Sequence, residues 1–304
     1  MNYEGMLIKL FIFIVLLTIG YICAQKGILS DLFSKDASWL LLNLYIASSI
    51  INSVLGERPD ITSRELAVSL LAMTVTIVTV YAIGTVSAKL FGKDNFPQNL
   101  ILLSVVNNLF VGMPIVQALC GSEAGFYIGV SGVPYNIILF TYGVWILKRG
   151  KGEKGIKLKD IVSVSLIASL TALVIFVSGV KVPRLVTDFF STVSGATVPL
   201  SMIVVGATLG NIKLTDAFKD KTALLMSIVR LIIAPVAVFF IMKLITDNKV
   251  LALTCMVVAA CPPGVVCTPL SIRYGYSAEK SSRTIMVMTV LSMITIPILV
   301  YIMY

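Results

Sequence analysis

Ala259-Ala260-Cys261-Pro262-Pro263-Gly264-Val265-Val266 lies in the middle of an apolar run covering 250–272. A run of about 20 apolar residues is long enough to cross the hydrocarbon core of a bilayer as a helix. Two consecutive prolines do not fit a regular helix, because each lacks a backbone N–H and clashes with the carbonyl four residues back. Pro262 and Pro263 therefore free the carbonyls of Val258 and Ala259, and Gly264 beside them lets the chain unwind. Irregular backbone at membrane depth is tolerated only where it is buried in protein or lines a cavity. A second run, 98–120, carries a counterpart, Gly112-Met113-Pro114, in which Pro114 frees the carbonyl of Phe110. Pro114 and Pro262 stand 148 residues apart, and the same offset carries the first apolar run onto the stretch just before and within the sixth.

Outward from these two runs, ten segments are long enough to span: 6–24, 37–55, 66–91, 98–120, 124–148, 161–179, 185–209, 221–245, 250–272 and 280–303. None shows the period-two alternation of a membrane β-strand, so the expected architecture is all-α and integral to the membrane. The composition agrees, with 58% hydrophobic and only 13% charged residues, where a soluble domain carries roughly 25% charged. The net charge of +9 does not mark a nucleic-acid binder, because the basic residues occupy the short gaps between apolar runs. The first run, with no cleavage motif after it, reads as a retained span rather than a signal peptide. Cys23, Cys120, Cys255, Cys261 and Cys267 are odd in number and lie in or beside apolar segments, which argues against a disulfide framework.

Basic residues also set the orientation. The gap between the fifth and sixth runs holds Lys148, Arg149, Lys151, Lys154, Lys157 and Lys159, which keeps it cytoplasmic. Alternation from there puts 16 of the 24 Lys and Arg inside and 7 outside, with Arg230 left within a span. Both termini are expected to be extracytoplasmic, in the cell membrane. Five runs precede the basic loop and five follow it, so two repeats of odd span number would be inverted relative to each other. The expected division is a first five-helix repeat over 1–148, a basic loop over 149–160 and a second repeat over 161–304. Inverted repeats with interrupted helices at matching positions build many secondary transporters, with substrate at the repeat interface.

The absence of histidine excludes His-ligated zinc hydrolysis and histidine general-base chemistry. Aspartate pairs for prenyl transfer and a Ser/His dyad are also missing, so the chain is not expected to be an enzyme. Asn107, Asn108 and Asn136 fall at membrane depth. Asn107 and Asn108 are consecutive and cannot face the same way, so one is expected to meet substrate and the other to bond backbone freed by the break. Asn136 is either a substrate contact or helix–helix glue. Arg230 is the most unfavourable residue, since an arginine at a helix centre costs roughly 2.5 kcal/mol or more. Its two readings are attraction of an anion and bonding of broken-helix carbonyls. All fifteen acids fall in gaps or near span ends, which speaks against a carboxylate proton relay. Na⁺ held by freed carbonyls and hydroxyls stays open as a coupling ion; no other cofactor and no metal is expected.

Asn107-Asn108-Leu109-Phe110-Val111-Gly112-Met113-Pro114-Ile115 resembles the fourth-helix motif of the auxin efflux carrier family. Cys261-Pro262-Pro263-Gly264 followed by Arg273-Tyr274 is similar to its ninth helix. Arg230-Leu231-Ile232-Ile233-Ala234-Pro235 resembles its eighth, and Pro199-Leu200 through Gly206-Ala207-Thr208-Leu209 its seventh. The resemblance covers essentially the whole chain. It implies broken fourth and ninth helices that cross, a dimerising scaffold of the first, second, sixth and seventh helices, and a mobile transport domain of the other six. It further implies elevator-type transport of a small organic anion, an auxin-like monocarboxylate or a dicarboxylate, bound beside the crossover. The expected site is Asn107, Asn108, Gly112, Pro114, Asn136, Pro262, Pro263 and Gly264. One departure is the second run, where the family's proline is missing from Tyr45-Ile46-Ala47-Ser48-Ser49-Ile50. Other readings are a sodium-coupled symporter like the bile-acid carriers, which would place acids around the crossing, and a channel.

Overall fold

The computed structural model describes residues 3–55, 61–152, 164–210, 214–264 and 266–304. Of the expected topogenic charges, Arg58, Lys154, Lys157, Lys159 and Lys213 lie outside the described residues, as does the loop beyond Gly152. Among the described residues every regular element is helical. In chain order the principal helices are α1 (Tyr3–Gln25), α2 (Leu32–Leu55), α3 (Arg64–Phe91), α4 (Phe96–Ser104), α5 (Asn108–Cys120), α6 (Glu123–Arg149), α7 (Val164–Ser178), α8 (Arg184–Leu209), α9 (Lys221–Ile245), α10 (Lys249–Ala260), α11 (Cys267–Arg273) and α12 (Ala278–Met303). Six of them, α2, α3, α6, α8, α9 and α12, are long and apolar enough to cross a membrane. All five cysteines are free thiols.

The polar gaps of the sequence become helix caps, which satisfy the orphan N–H groups of the first turn. Thr62 and Glu65 form a reciprocal capping box at the start of α3: Thr62 N–H donates to Glu65 Oε2 at 2.7 Å and Glu65 N–H to Thr62 Oγ1 at 3.2 Å. Asp220 Oδ1 accepts from the N–H groups of Thr222 and Ala223 to begin α9. Asn248 caps α10 through Leu251 N–H, and Ser277 caps α12 through Lys280 N–H.

Two compact units make up the chain. The first comprises 1–73, 109–133 and 162–211, and so holds α1, α2, α7 and α8 whole. The second comprises 74–108, 134–161 and 212–304, with α4 and α9 to α12. Helices α3 and α6 pass from one to the other.

In the first unit α1 and α8 pack backbone to backbone. A methyl group at Gly20 would overlap the Ile203 carbonyl, and one at Gly206 the Leu17 carbonyl. Gln25 Nε2 closes the contact by donating to Gly210 O. Gly206 and Gly210 stand four residues apart on one face, the small-residue spacing that lets membrane helices approach closely where no hydrophobic driving force separates helix from lipid. Thr197 joins α8 to α2, donating to Tyr45 O at 3.1 Å and sharing a hydrogen bond with Ser49 Oγ at 2.8 Å.

In the second unit Gln98 ties α4 to α12 and the turn before it. Its Nε2 donates to Ser277 O at 2.5 Å and Ser281 Oγ at 2.8 Å. Ser281 Oγ in turn shares a hydrogen bond with Ser271 Oγ of α11 at 2.7 Å. Tyr276 Oη donates to Leu147 O near the end of α6 at 3.1 Å.

Four helices contain one widened, π-type turn: Leu41–Tyr45, Asn108–Gly112, Leu139–Gly143 and Val229–Ile233. The second and fourth of these precede Pro114 and Pro235. A π turn takes its donor one residue further along than an α turn, which steps past the N–H that proline lacks. Pro114 is thus carried in the first turn of a continuing helix, and the expectation that it interrupts the fourth run is corrected. The interruption lies earlier, at Val105–Asn107, between α4 and α5.

The close α1–α8 contact is tested by Gly206→Val in purified protein. Overpacking of this kind costs roughly 1–3 kcal/mol, so the unfolding midpoint should fall by several degrees. Gly195→Ala, on the same helix with nothing within 4 Å of an added methyl, should leave it unchanged or slightly raised.

Candidate functional site

Within the second unit both interrupted runs leave the helix as short, buried extended segments. Helix α4 ends at Ser104, and Val105 turns into extended backbone with φ −75° and ψ 113°. Helix α10 ends at Ala260, and Cys261 does the same with φ −62° and ψ 145°. The two segments run antiparallel and pair at Val106 and Pro263. Asn107 N–H donates to Pro262 O at 2.9 Å, and Gly264 N–H donates to Val105 O at 3.0 Å.

This register explains why two prolines can stand here. In an antiparallel pair, residues alternate between hydrogen-bonded and non-hydrogen-bonded positions. Pro263 occupies the position whose own N–H is not called upon, and Pro262 contributes only its carbonyl. The missing donors leave no gap in the ladder.

The remaining freed carbonyls have partners too. Val258 O accepts from Cys261 N–H at 3.3 Å. Ala259 O, freed by Pro263, accepts from Arg230 Nη1 at 2.7 Å. Val106 O accepts from Tyr135 Oη of α6 at 3.0 Å. Ile101 O accepts from Cys267 Sγ at 3.6 Å as well as from Val105 N–H. A lipid-buried backbone group without a partner costs several kcal/mol, and the crossover meets that demand with its own strands, a guanidinium and a phenol.

The structure brings Asn107, Pro262, Pro263 and Gly264 together, with Arg230 bonded to the carbonyl two residues before Cys261. Asn107 is 5% exposed, and its Nδ2 is a buried donor with no hydrogen-bond partner. Asn108 and Asn136 are buried in the second unit at 2% and 3% exposure. Gly112 and Pro114 belong to the first unit and are no part of the paired segments. Gly264 has no steric necessity: an added methyl would sit 3.4 Å from Val105 Cγ1 and Val106 O, an ordinary contact. Its φ is not positive either.

Arg230 is fully buried. Its bond to Ala259 O is the geometry of the carbonyl-bonding role, while Nε and Nη2 find no partner. Two residues that shape the site escaped the reading of the sequence, Tyr135 and Gln98. The available signal was the same for both: a hydrogen-bonding side chain within an apolar run, next to Asn136 in one case and Asn99 in the other.

Comparisons with known proteins agree on the class. A family model described as a membrane transport protein matches residues 6–300. An uncharacterized transporter of Methanothermobacter thermautotrophicus is 24% identical over 292 residues, covering 94% of each chain.

The extended pair predicts the effect of removing the prolines. Pro262→Ala combined with Pro263→Ala restores two helix donors and lets α10 continue, which should reduce transport in proteoliposomes at least tenfold. Gly264→Ala should retain most activity. Undiminished transport by the double variant would show that the interruption is not needed.

Proposed function

The chain belongs to the membrane transport protein family, that of the auxin efflux carriers, and from that premise we propose that it is a secondary carrier of a small organic anion. As a member it is a multi-pass membrane transporter, in a family of transporters rather than enzymes. The carried anion in this proposal is an auxin-like monocarboxylate or a dicarboxylate, bound beside the paired segments.

The observation that carries the reading is the buried, unpartnered Nδ2 of Asn107, whose own N–H anchors the crossover. A buried donor left without a partner is unfavourable by about 1–3 kcal/mol, and a substrate carboxylate is an acceptor that would relieve it. Asn108 and Asn136 supply further amides in the same unit. Pro262, Pro263 and Gly264 present backbone rather than side chain.

The proposed architecture is ten spans in two inverted five-helix repeats, with both termini extracytoplasmic and the central loop cytoplasmic in the cell membrane. Elevator-type alternating access would move a transport domain against a scaffold that forms a homodimer. Support for that division comes from how the helices sort. The four expected scaffold runs correspond to α1, α2, α7 and α8, which fall whole in one unit, whereas α9 to α12 fall whole in the other. Close backbone packing of α1 on α8 suits a part that stays rigid.

Ligand-dependent stabilisation of purified protein tests the substrate class. A screen of mono- and dicarboxylates, with and without Na⁺ and across pH, should find acids that raise the unfolding temperature, since a ligand at 100 times its Kd adds about 2.7 kcal/mol. Asn107→Ala should weaken the best of them at least tenfold while the unliganded midpoint stays near that of the parent. Equal binding by the parent and by Asn107→Ala and Asn108→Ala would move the site away from the crossover.

A further inference from the structure

Arg230 holds a positive charge that no carboxylate among the described residues of its unit answers. Among the described residues it is the one charged side chain that is wholly buried. A buried lysine can shed its proton, but a guanidinium stays charged under all ordinary conditions. Folded proteins meet such a charge with an opposite one, because an isolated ion in a low-dielectric interior is far too unfavourable to persist. One edge of Arg230 is satisfied by Ala259 O. Its Nε and Nη2 are buried donors without acceptors.

No described carboxylate of the second unit is placed to pair with it. Asp94 lies in the turn before α4, and Asp247 in the link before α10. Asp216 binds Lys219, Glu279 binds Arg283, and Asp220 caps α9. The groups near enough to feel the guanidinium are Tyr81, Tyr135, Cys261 and Cys267, all neutral in their ordinary protonation states. Tyr81 Oη, on α3, is a further buried polar atom with no hydrogen-bond partner. The neighbourhood thus combines a permanent cation, several unused donors and no anion.

We infer that Arg230 is the centre of a small-anion site in the second unit, in which a halide or a carboxylate group accepts from Nε and Nη2 with the Tyr81 hydroxyl as an additional donor. The guanidinium then has two roles on two edges. Nη1 holds the carbonyl freed by Pro263, and the opposite edge holds the ligand. Anion binding is thereby coupled, through one guanidinium and its hydrogen bond to Ala259 O, to the backbone of the α10 break. If the anion is a halide, the site is a counter-ion site independent of the carried substrate. If it is a carboxylate, the inference rests on the carrier reading and assigns Arg230 to its substrate.

The experiment uses the full-length protein purified in a buffer whose only anion is a bulky organic sulfonate. Chloride, bromide, malonate and 4-bromobenzoate are titrated separately at constant Na⁺ and ionic strength, with the unfolding temperature as readout. The wild type should show a saturable rise with at least one of them. Arg230→Gln keeps a neutral donor for Ala259 O but loses the charge, and should weaken that response at least tenfold. Tyr81→Phe, lacking only the hydroxyl, should weaken it severalfold. Response to both halides identifies an inorganic counter-ion; response to carboxylates alone identifies the transported anion. No response in the wild type, or equal responses in wild type and Arg230→Gln, overturns the site. If Arg230→Gln fails to fold, anomalous scattering from wild-type crystals grown with bromide and with 4-bromobenzoate decides. Bromine signal near the guanidinium supports the site, and its absence in both, with an unchanged response in Tyr81→Phe, removes it. Counterflow of a carboxylate that is sensitive to Asn107→Ala would keep the carrier reading even then, whereas a halide response with no carboxylate transport would do the reverse.

Discussion

Hydrocarbon offers no partner to a peptide group, and that constraint shapes the centre of this protein. Once the prolines of 262–263 end α10 inside an apolar run, their backbone must be satisfied by other protein. The two hydrogen bonds between Val105–Asn107 and Pro262–Gly264 are the answer. They are a fragment of antiparallel sheet in an otherwise helical structure, and each segment makes the other possible. The same pairing brings Asn107, from a different third of the chain, against the proline pair.

Everything close to the crossover continues that logic. Tyr135 and Arg230 each give a donor to a carbonyl that the interruption exposes. Gln98, Ser271 and Ser281 bind the outer halves of the broken runs to α12 and its N-terminal turn. Polar side chains at membrane depth are unfavourable when alone, so a cluster of them in a chain this apolar marks a place where the backbone has been opened. Among the buried polar atoms left without a partner are Asn107 Nδ2, two nitrogens of Arg230 and the Tyr81 hydroxyl, donors still able to meet a ligand.

The first unit solves a different problem. Apolar surface gives helices no reason to prefer one another over lipid, so α1 and α8 gain by close approach instead. Glycines at 20 and 206 remove the side chains that would hold the two backbones apart. Hydroxyl contacts from Thr197 and Ser49 set the neighbouring α2. Close backbone packing in the first unit and a reopened, hydrogen-bonded backbone in the second are two separate answers to apolar surroundings.

The sequence by itself determined the membrane class, the helical architecture and the presence of interruptions. Each of those follows from local chemistry: long apolar runs without strand alternation, and the missing N–H of proline. The family was legible as well, in the asparagine, glycine and proline motifs of the fourth, seventh, eighth and ninth runs. Only the tertiary structure decided where the first interruption falls. Pro114 looked decisive, yet a widened turn absorbs it, and the chain opens instead at Val105–Asn107 because Pro262 and Gly264 lie opposite and need partners. The same holds for Gly206 and Arg230. A glycine's necessity depends on which backbone approaches it, and a buried arginine's partner depends on which carbonyl a distant proline has freed. Those are relations between segments far apart in the chain, which the order of residues along it does not contain.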